Sequence, residues 1–144
     1  MGLGLERGGR TQAQEFVTCL LDTHFLIWIV TRSKRLKAFP WLGDYRPWGV
    51  SPVSLLEIQF LSEIGRLDVR NPEFTETLKK DPRFALDEVS LVALVEKALS
   101  LEWTRDPFDR MIAAHSLARR VPVCTLDTVL GVRHSLIVPQ LRQT

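Results

Sequence analysis

The sequence predicts an α/β fold with a central, mostly parallel sheet and helices on both faces. Two observations lead there. Short apolar runs alternate with stretches that carry helix-start signals, which is the pattern of repeated β-α-β units. Two of the runs, FVTCLL and VPVCT, lead into aspartates, and parallel α/β sheets place their sites at the carboxyl ends of strands. The chain has 144 residues, 45% of them apolar, enough for one compact core and too little for two.

Met1 to Gln14 has no periodicity, and its glycines precede no helix cap, so it reads as a flexible tail before one domain over 15–144. Phe16 to Leu21 is rich in β-formers and reads as a strand buried on both faces, ending at Asp22. His24 to Val30 follows as a helix. Thr31 to Trp48, with prolines, a glycine and five basic residues, reads as an irregular connection. Gly49 to Val53 reads as the second strand. Ser54 to Ile64 is an amphipathic helix opened by Ser54 and stopped by Gly65.

Asn71-Pro72 starts a helix to Lys80, and the Asp81-Pro82 turn leads into a strand over Ala85 to Val89. Ser90 caps a helix to Ser100. Asp106-Pro107 begins the best-marked helix of the chain, reaching about Arg119. Val121 to Thr125 is the next strand, ending at Asp127, and Leu136 to Val138 a last short one.

Composition bounds the function classes. The 19 basic and 17 acidic residues leave a net charge of +2, so affinity for a polyanion must come from local patches. Cys19 and Cys124 sit inside apolar runs, which suits reduced, buried thiols and a cytoplasmic protein better than a disulfide framework or a zinc site. Met1 to Glu15 is too polar for the apolar core of a signal peptide, and no run of about 18 apolar residues exists, so no membrane association is expected.

Four acids stand out. Asp22, directly after a buried strand, reads either as a helix cap or as a site residue. Glu57 shares a helical row with Ser54, Leu61 and Ile64, the expected buried stripe, and a core-facing carboxylate needs a partner. Its structural alternative is the capping box Ser54-x-x-Glu57. In Asp106-Pro107-Phe108-Asp109, Asp106 suits the cap and Asp109 the site. The small Ala113 and Ser116 along the row from Asp109 let that helix approach the sheet. Asp127 reads as a site residue oriented by Thr125, or as a turn aspartate.

Four carboxylates in one cleft repel one another unless cations lie between them, and oxygen-only ligation suits Mg²⁺ or Mn²⁺ rather than zinc. Such ions activate water and stabilise charge on a scissile phosphate, so no nucleophilic side chain is needed. In keeping with that, the sequence has no G-x-S-x-G elbow, Walker loop, H-E-x-x-H or C-x-x-C. The three histidines carry little of the expected chemistry. His24 is expected to pack beside the first strand, His115 sits in a helix with no ligand four residues away, and His134 lies in a loop.

The runs Leu20-Leu21-Asp22-Thr23-His24, Ser51-Pro52-Val53-Ser54-Leu55-Leu56-Glu57-Ile58, Arg105-Asp106-Pro107-Phe108-Asp109-Arg110-Met111-Ile112-Ala113-Ala114 and Thr125-Leu126-Asp127 together resemble the PIN domain, specifically VapC-type toxins of bacterial toxin-antitoxin pairs. The resemblance covers about residues 17–138 and rests on the order and spacing of four motifs. It implies a PIN-like three-layer α/β/α sandwich and a Mg²⁺- or Mn²⁺-dependent ribonuclease that cleaves RNA. It also implies inhibition by a cognate antitoxin and a homodimer. Asp22, Glu57 and Asp109 fall on the family's metal-binding acids and Asp127 on its more variable fourth, with Asp106 a possible accessory. Leu61 stands where many relatives have lysine, and Thr104 precedes Arg105 where histidine is common.

Arg35, Arg105 and Arg110 are the candidate RNA contacts. Trp41 and Trp48 suit either base stacking or the core. Two other readings stay open: a housekeeping nuclease of the same type, acting in RNA processing or on DNA, and a non-catalytic module that binds RNA or protein.

Overall fold

The computed structural model describes residues 15–142, so the tail expected over 1–14 and the last two positions lie outside the described residues. Four short strands, β1 (Leu20–Leu21), β2 (Trp48–Val50), β3 (Phe84–Leu86) and β4 (Val123–Cys124), pair in parallel in the order β3-β2-β1-β4. Six helices among the described residues flank this sheet: α1 (Thr23–Val30), α2 (Pro52–Glu63), α3 (Glu73–Lys80), α4 (Leu91–Ala98), α5 (Pro107–Arg119) and α6 (Thr128–Arg133). The result is the expected three-layer α/β/α sandwich.

Two apolar assemblies hold the layers. Phe25, Leu26 and Ile29 of α1 and Leu78 of α3 pack with Cys19, Leu21, Trp48, Val50 and Phe84 of the sheet. Leu94 and Ala98 of α4, Ala113 and Ala114 of α5 and Leu130 of α6 form the second, and Ile112 brings α5 onto Val123. The row of small residues read from the sequence behaves as expected, since Ala113 and Ser116 are fully buried. Gly49 is required by a close approach. A Cβ there would lie 2.6 Å from Val17 Cγ1 and 2.8 Å from the Cys19 carbonyl oxygen, so only glycine lets β2 run against β1.

Helix starts explain most departures from the expected elements. Helix α2 begins two residues earlier than its sequence suggests, because Ser51 supplies the capping oxygen to Val53 N–H at 3.2 Å and Pro52 takes the first turn. Ser54 is therefore no cap but a buried residue within the helix, and its buried neighbour along the helix is Ile58, while Ile64 is 48% exposed. Asp127 caps a helix that the sequence pattern did not reveal, α6, by accepting from Leu130 N–H at 2.9 Å. The run Leu136 to Val138 touches β4 only through a bridge between Ile137 and Val123.

Both cysteines are free and buried, and burial pushes the Cys19 thiol up to about 12, so neither serves as a thiolate. No helix among the described residues is long and apolar enough to cross a membrane.

Candidate active site

The chain leaves β1 for β2 and β3 on one side and returns to β4 on the other, so the strand order reverses between β1 and β4. In open parallel sheets that reversal leaves a crevice at the carboxyl ends of the two strands. The residues directly after the four strands are Asp22, Ser51, Asp87 and Thr125, and all four are polar and buried. Asp22 and Thr125 flank the crevice.

Asp22 serves two ends at once. One carboxylate oxygen accepts from Phe25 N–H at 2.9 Å and so caps α1, and the other accepts the Thr125 hydroxyl. Burial nonetheless dominates, raising its pKa to about 6 despite these hydrogen bonds. The cap reading and the site reading of Asp22 are thus compatible. Thr125 also accepts from Asp127 N–H at 3.0 Å, so one hydroxyl ties the ends of β1 and β4 to the start of α6.

Glu57 faces the crevice from the second turn of α2. Its partner is Thr23, whose hydroxyl donates to Oε1, so the capping box with Ser54 does not form. Burial raises its pKa and the repulsion from Asp106 adds to that, against the opposing Thr23 bond and His24.

Asp106 is the α5 cap, accepting from Phe108 N–H at 2.9 Å and Asp109 N–H at 3.2 Å, which leaves Asp109 free of capping duty. Asp109 is the most perturbed acid of the group. Burial first, then repulsion from Asp106, Asp127, Glu57 and Asp22, lifts its pKa to about 7. The carboxylates of Asp22, Glu57, Asp106 and Asp127 thus all lie close enough to Asp109 to oppose its charge.

The acids surround the crevice without closing on a point: among the described residues, no three acid, histidine or cysteine side chains form a group that could hold one ion as they stand. Their chemistry is oxygen-only, and burial raises the pKa of Asp22, Glu57 and Asp109. Both properties fit a hard divalent cation.

The basic candidates separate. Arg35 lies with its guanidinium 5.2 Å from the centre of the Trp28 ring. Arg110 donates to the carbonyls of Ala98 at 2.8 Å and Leu99 at 3.4 Å, so it serves the carboxyl end of α4. Arg105 is exposed beside Glu102 and Arg110. Trp48 is a core residue, 2% exposed, with its indole N–H on the Leu42 carbonyl. His24 is exposed rather than packed against the first strand, and it lowers the pKa of both Asp22 and Glu57.

A parallel sheet with five acids at its switch point narrows the candidates for the fold family, and the PIN domain model matches residues 19–132. The chain belongs to the PIN domain family. PIN domains are typically metal-dependent nucleases. A comparison with curated proteins gives no match.

One buried acid escaped the sequence reading. Asp87, fully buried after β3, accepts from Arg119 at 2.7 and 2.9 Å and contacts His115 Nε2 at 2.8 Å. Burial works against its charge, but the His115 and Arg119 contacts outweigh it and hold its pKa below the usual carboxylate range. One strand, β2, separates β3 from β1, and two spacings of about 4.8 Å put Asp87 outside the crevice of this PIN domain. The periodicity of His115 and Arg119, one helical turn apart, was the available signal for it.

Proposed function

We propose that this PIN domain is a metal-dependent endoribonuclease, the toxin half of a toxin-antitoxin pair. The single observation that carries the reading is Asp109, a carboxylate lifted to about 7 by burial and by four other acids at the switch point of the sheet. Asp22, Glu57, Asp109 and Asp127 would hold Mg²⁺ or Mn²⁺, with Asp106 assisting. When bound, such an ion supplies Lewis acidity toward water and toward the scissile phosphate, whose P–O bond breaks as water adds.

The chain's own residues set up that chemistry. Thr125 and the α1 backbone fix the Asp22 carboxylate, and Thr23 fixes that of Glu57, so both meet a cation without first losing side-chain freedom. Asp109 and Asp22 give up protons as the cation arrives, which makes affinity rise with pH between about 5 and 8. Arg105 is an exposed cation that would meet phosphates of the strand.

The partners follow the same reading: an RNA substrate, a cognate antitoxin that covers the acids, and a second copy of this chain in the cytoplasm. Support for the homodimer comes from two exposed apolar rows. Leu56 and Phe60 on α2 with its C-cap Ile64, and Leu91 and Val95 on α4 with its C-cap Leu99, are each spaced by four residues and between 41% and 70% exposed. Helix α5 packs against both helices. Open apolar rows of this kind mark association surfaces.

One observation favours a second reading, a non-catalytic RNA-binding module: the acids do not converge on one point. Purified protein incubated with total bacterial RNA in EDTA, Mg²⁺ or Mn²⁺, beside Asp22→Asn, separates the two. Discrete fragments that need both metal and Asp22 are expected. Intact RNA under every condition, from protein free of any inhibitor, overturns the nuclease reading.

A further inference from the structure

Next to the acid cluster lies a pocket of about 270 Å³ lined by Asp22, His24, Trp28, Arg35, Leu126 and Asp127. Asp22 and Asp127 make it continuous with the crevice. The rest of its lining is of another chemical kind. His24 and Trp28 stand one helical turn apart on α1, with ring centres 6.4 Å from each other. Arg35 spreads over the Trp28 ring, is exposed, and forms no ion pair with a carboxylate among the described residues. Leu126, between Thr125 and Asp127, is 43% exposed although it is large and apolar.

Two rings, a guanidinium and an open leucine are what a splayed-out base uses, since unpaired bases stack on aromatic and guanidinium planes and tolerate aliphatic contact. The size agrees: about 270 Å³ falls just under the roughly 300 Å³ at which pockets for drug-sized ligands begin, which leaves room for one planar group. A phosphate alone would leave the rings and Leu126 unused, and the flanking carboxylates would repel it.

Resting on the ribonuclease reading above, we propose that this pocket seats one unpaired base of the RNA, stacked at Trp28 and Arg35 and bounded by Leu126, and thereby selects the nucleotide beside the scissile phosphate. Trp28 and Arg35 are then specificity-determining residues, distinct from the acids that carry the chemistry.

The test is cleavage of short single-stranded oligoribonucleotides that place each base in turn at every position around one cleaved bond. Arg35→Ala is expected to lower kcat/KM on the preferred substrate by about 5- to 150-fold, the range for one stacked base, and to flatten the preference at one position only. Trp28 also touches Phe25, with ring centres 5.1 Å apart, so Trp28→Phe is the informative variant there: it keeps a ring in the core and is expected to shift the same preference with an unchanged thermal midpoint.

A uniform loss on all substrates with the wild-type preference intact overturns the pocket and leaves the ribonuclease standing. Weakened inhibition by a protein partner with base preference unmoved does the same, assigning the pocket to that partner. If the wild type cuts nothing, photo-crosslinking of a 5-iodouridine oligonucleotide decides independently of cleavage. Attachment at Trp28 or His24 supports the base pocket, and attachment elsewhere or none overturns it.

Discussion

The Thr125 hydroxyl donates to the Asp22 carboxylate across 103 positions of sequence, joining the ends of β1 and β4 where the acid crevice opens. The same oxygen accepts from Asp127 N–H, so Thr125 sets two of the four candidate acids while carrying no charge of its own. Thr125→Val keeps the volume and removes both bonds. The Asp127 amide then loses a hydrogen bond worth about 0.5–1.5 kcal/mol, and Asp22 loses an interaction that favours its charged form. Nuclease activity should fall by one to two orders of magnitude, with its acid limb displaced to higher pH, and Thr125→Ser should restore most of it. An unchanged pH profile would show that the hydroxyl does not act through Asp22.

The acids also set how the ion-free protein responds to pH. Asp109 and Asp22 have folded pKa values of about 7 and 6, above the ordinary 3.8, so folding favours their protonated forms. Their contribution to stability is complete below about pH 4 and is lost as pH rises through 6 and 7. His134 works in the opposite sense, because burial holds its pKa down to about 4 and its contribution is lost on acidification below 6.5. Comparing Asp109→Asn with the wild type in EDTA cancels the histidine. The variant should gain little at pH 4 and about 1–2 kcal/mol by pH 8, a figure reduced for the solvent around a half-buried group. Added Mg²⁺ or Mn²⁺ should reverse the order by stabilising only the wild type. A constant difference across pH would contradict the raised Asp109.

How far the sequence could be read depended on the range of each interaction. Helix caps are local, so Ser90 and Asp106 were placed correctly from their immediate neighbours. Two signals competed around Ser51-Pro52-Val53-Ser54. Proline suits the first turn of a helix as well as the end of a strand, and only the Ser51 bond to Val53 decides for the helix. The acids Asp22, Glu57, Asp109 and Asp127 were legible as candidates because each follows a strand or faces inward along a helix. Their supports were not. Thr23 to Glu57 spans 34 residues and Thr125 to Asp22 spans 103, and neither pairing leaves a periodic trace. Asp87 left only the one-turn spacing of His115 and Arg119 as a trace, and these partners lie 28 and 32 residues away.

Asp87 supports the fold and not the crevice, and its removal should say so. The Arg119 side chain is only 10% exposed and His115 1%, so Asp87→Ala takes the carboxylate away from a largely buried guanidinium and a buried imidazole. Breaking a buried ion pair in this way costs about 3–5 kcal/mol. Urea denaturation should show a loss of that size, while divalent-metal affinity of the folded fraction stays within about twofold of wild type. A large change in metal affinity at unchanged stability would move Asp87 into the functional site.

Gly49 tests whether the crevice depends on the sheet beneath it. Gly49 pairs with Leu20, two residues before Asp22, and a Cβ at this position would meet Val17, the Cys19 carbonyl and Leu20 Cδ2 within 2.9 Å. The Leu20 methyl can swing aside, but the Cys19 carbonyl is backbone and moves only with β1. Overpacking of this kind costs about 1–3 kcal/mol, and here the strain falls on the strand that aims Asp22. Gly49→Ala should therefore lower the thermal midpoint and also reduce nuclease activity at temperatures where the variant is still fully folded. Loss of stability with kcat/KM preserved would mean that β1 yields without moving Asp22, so that the Thr125 and Phe25 bonds alone suffice to hold the carboxylate in place.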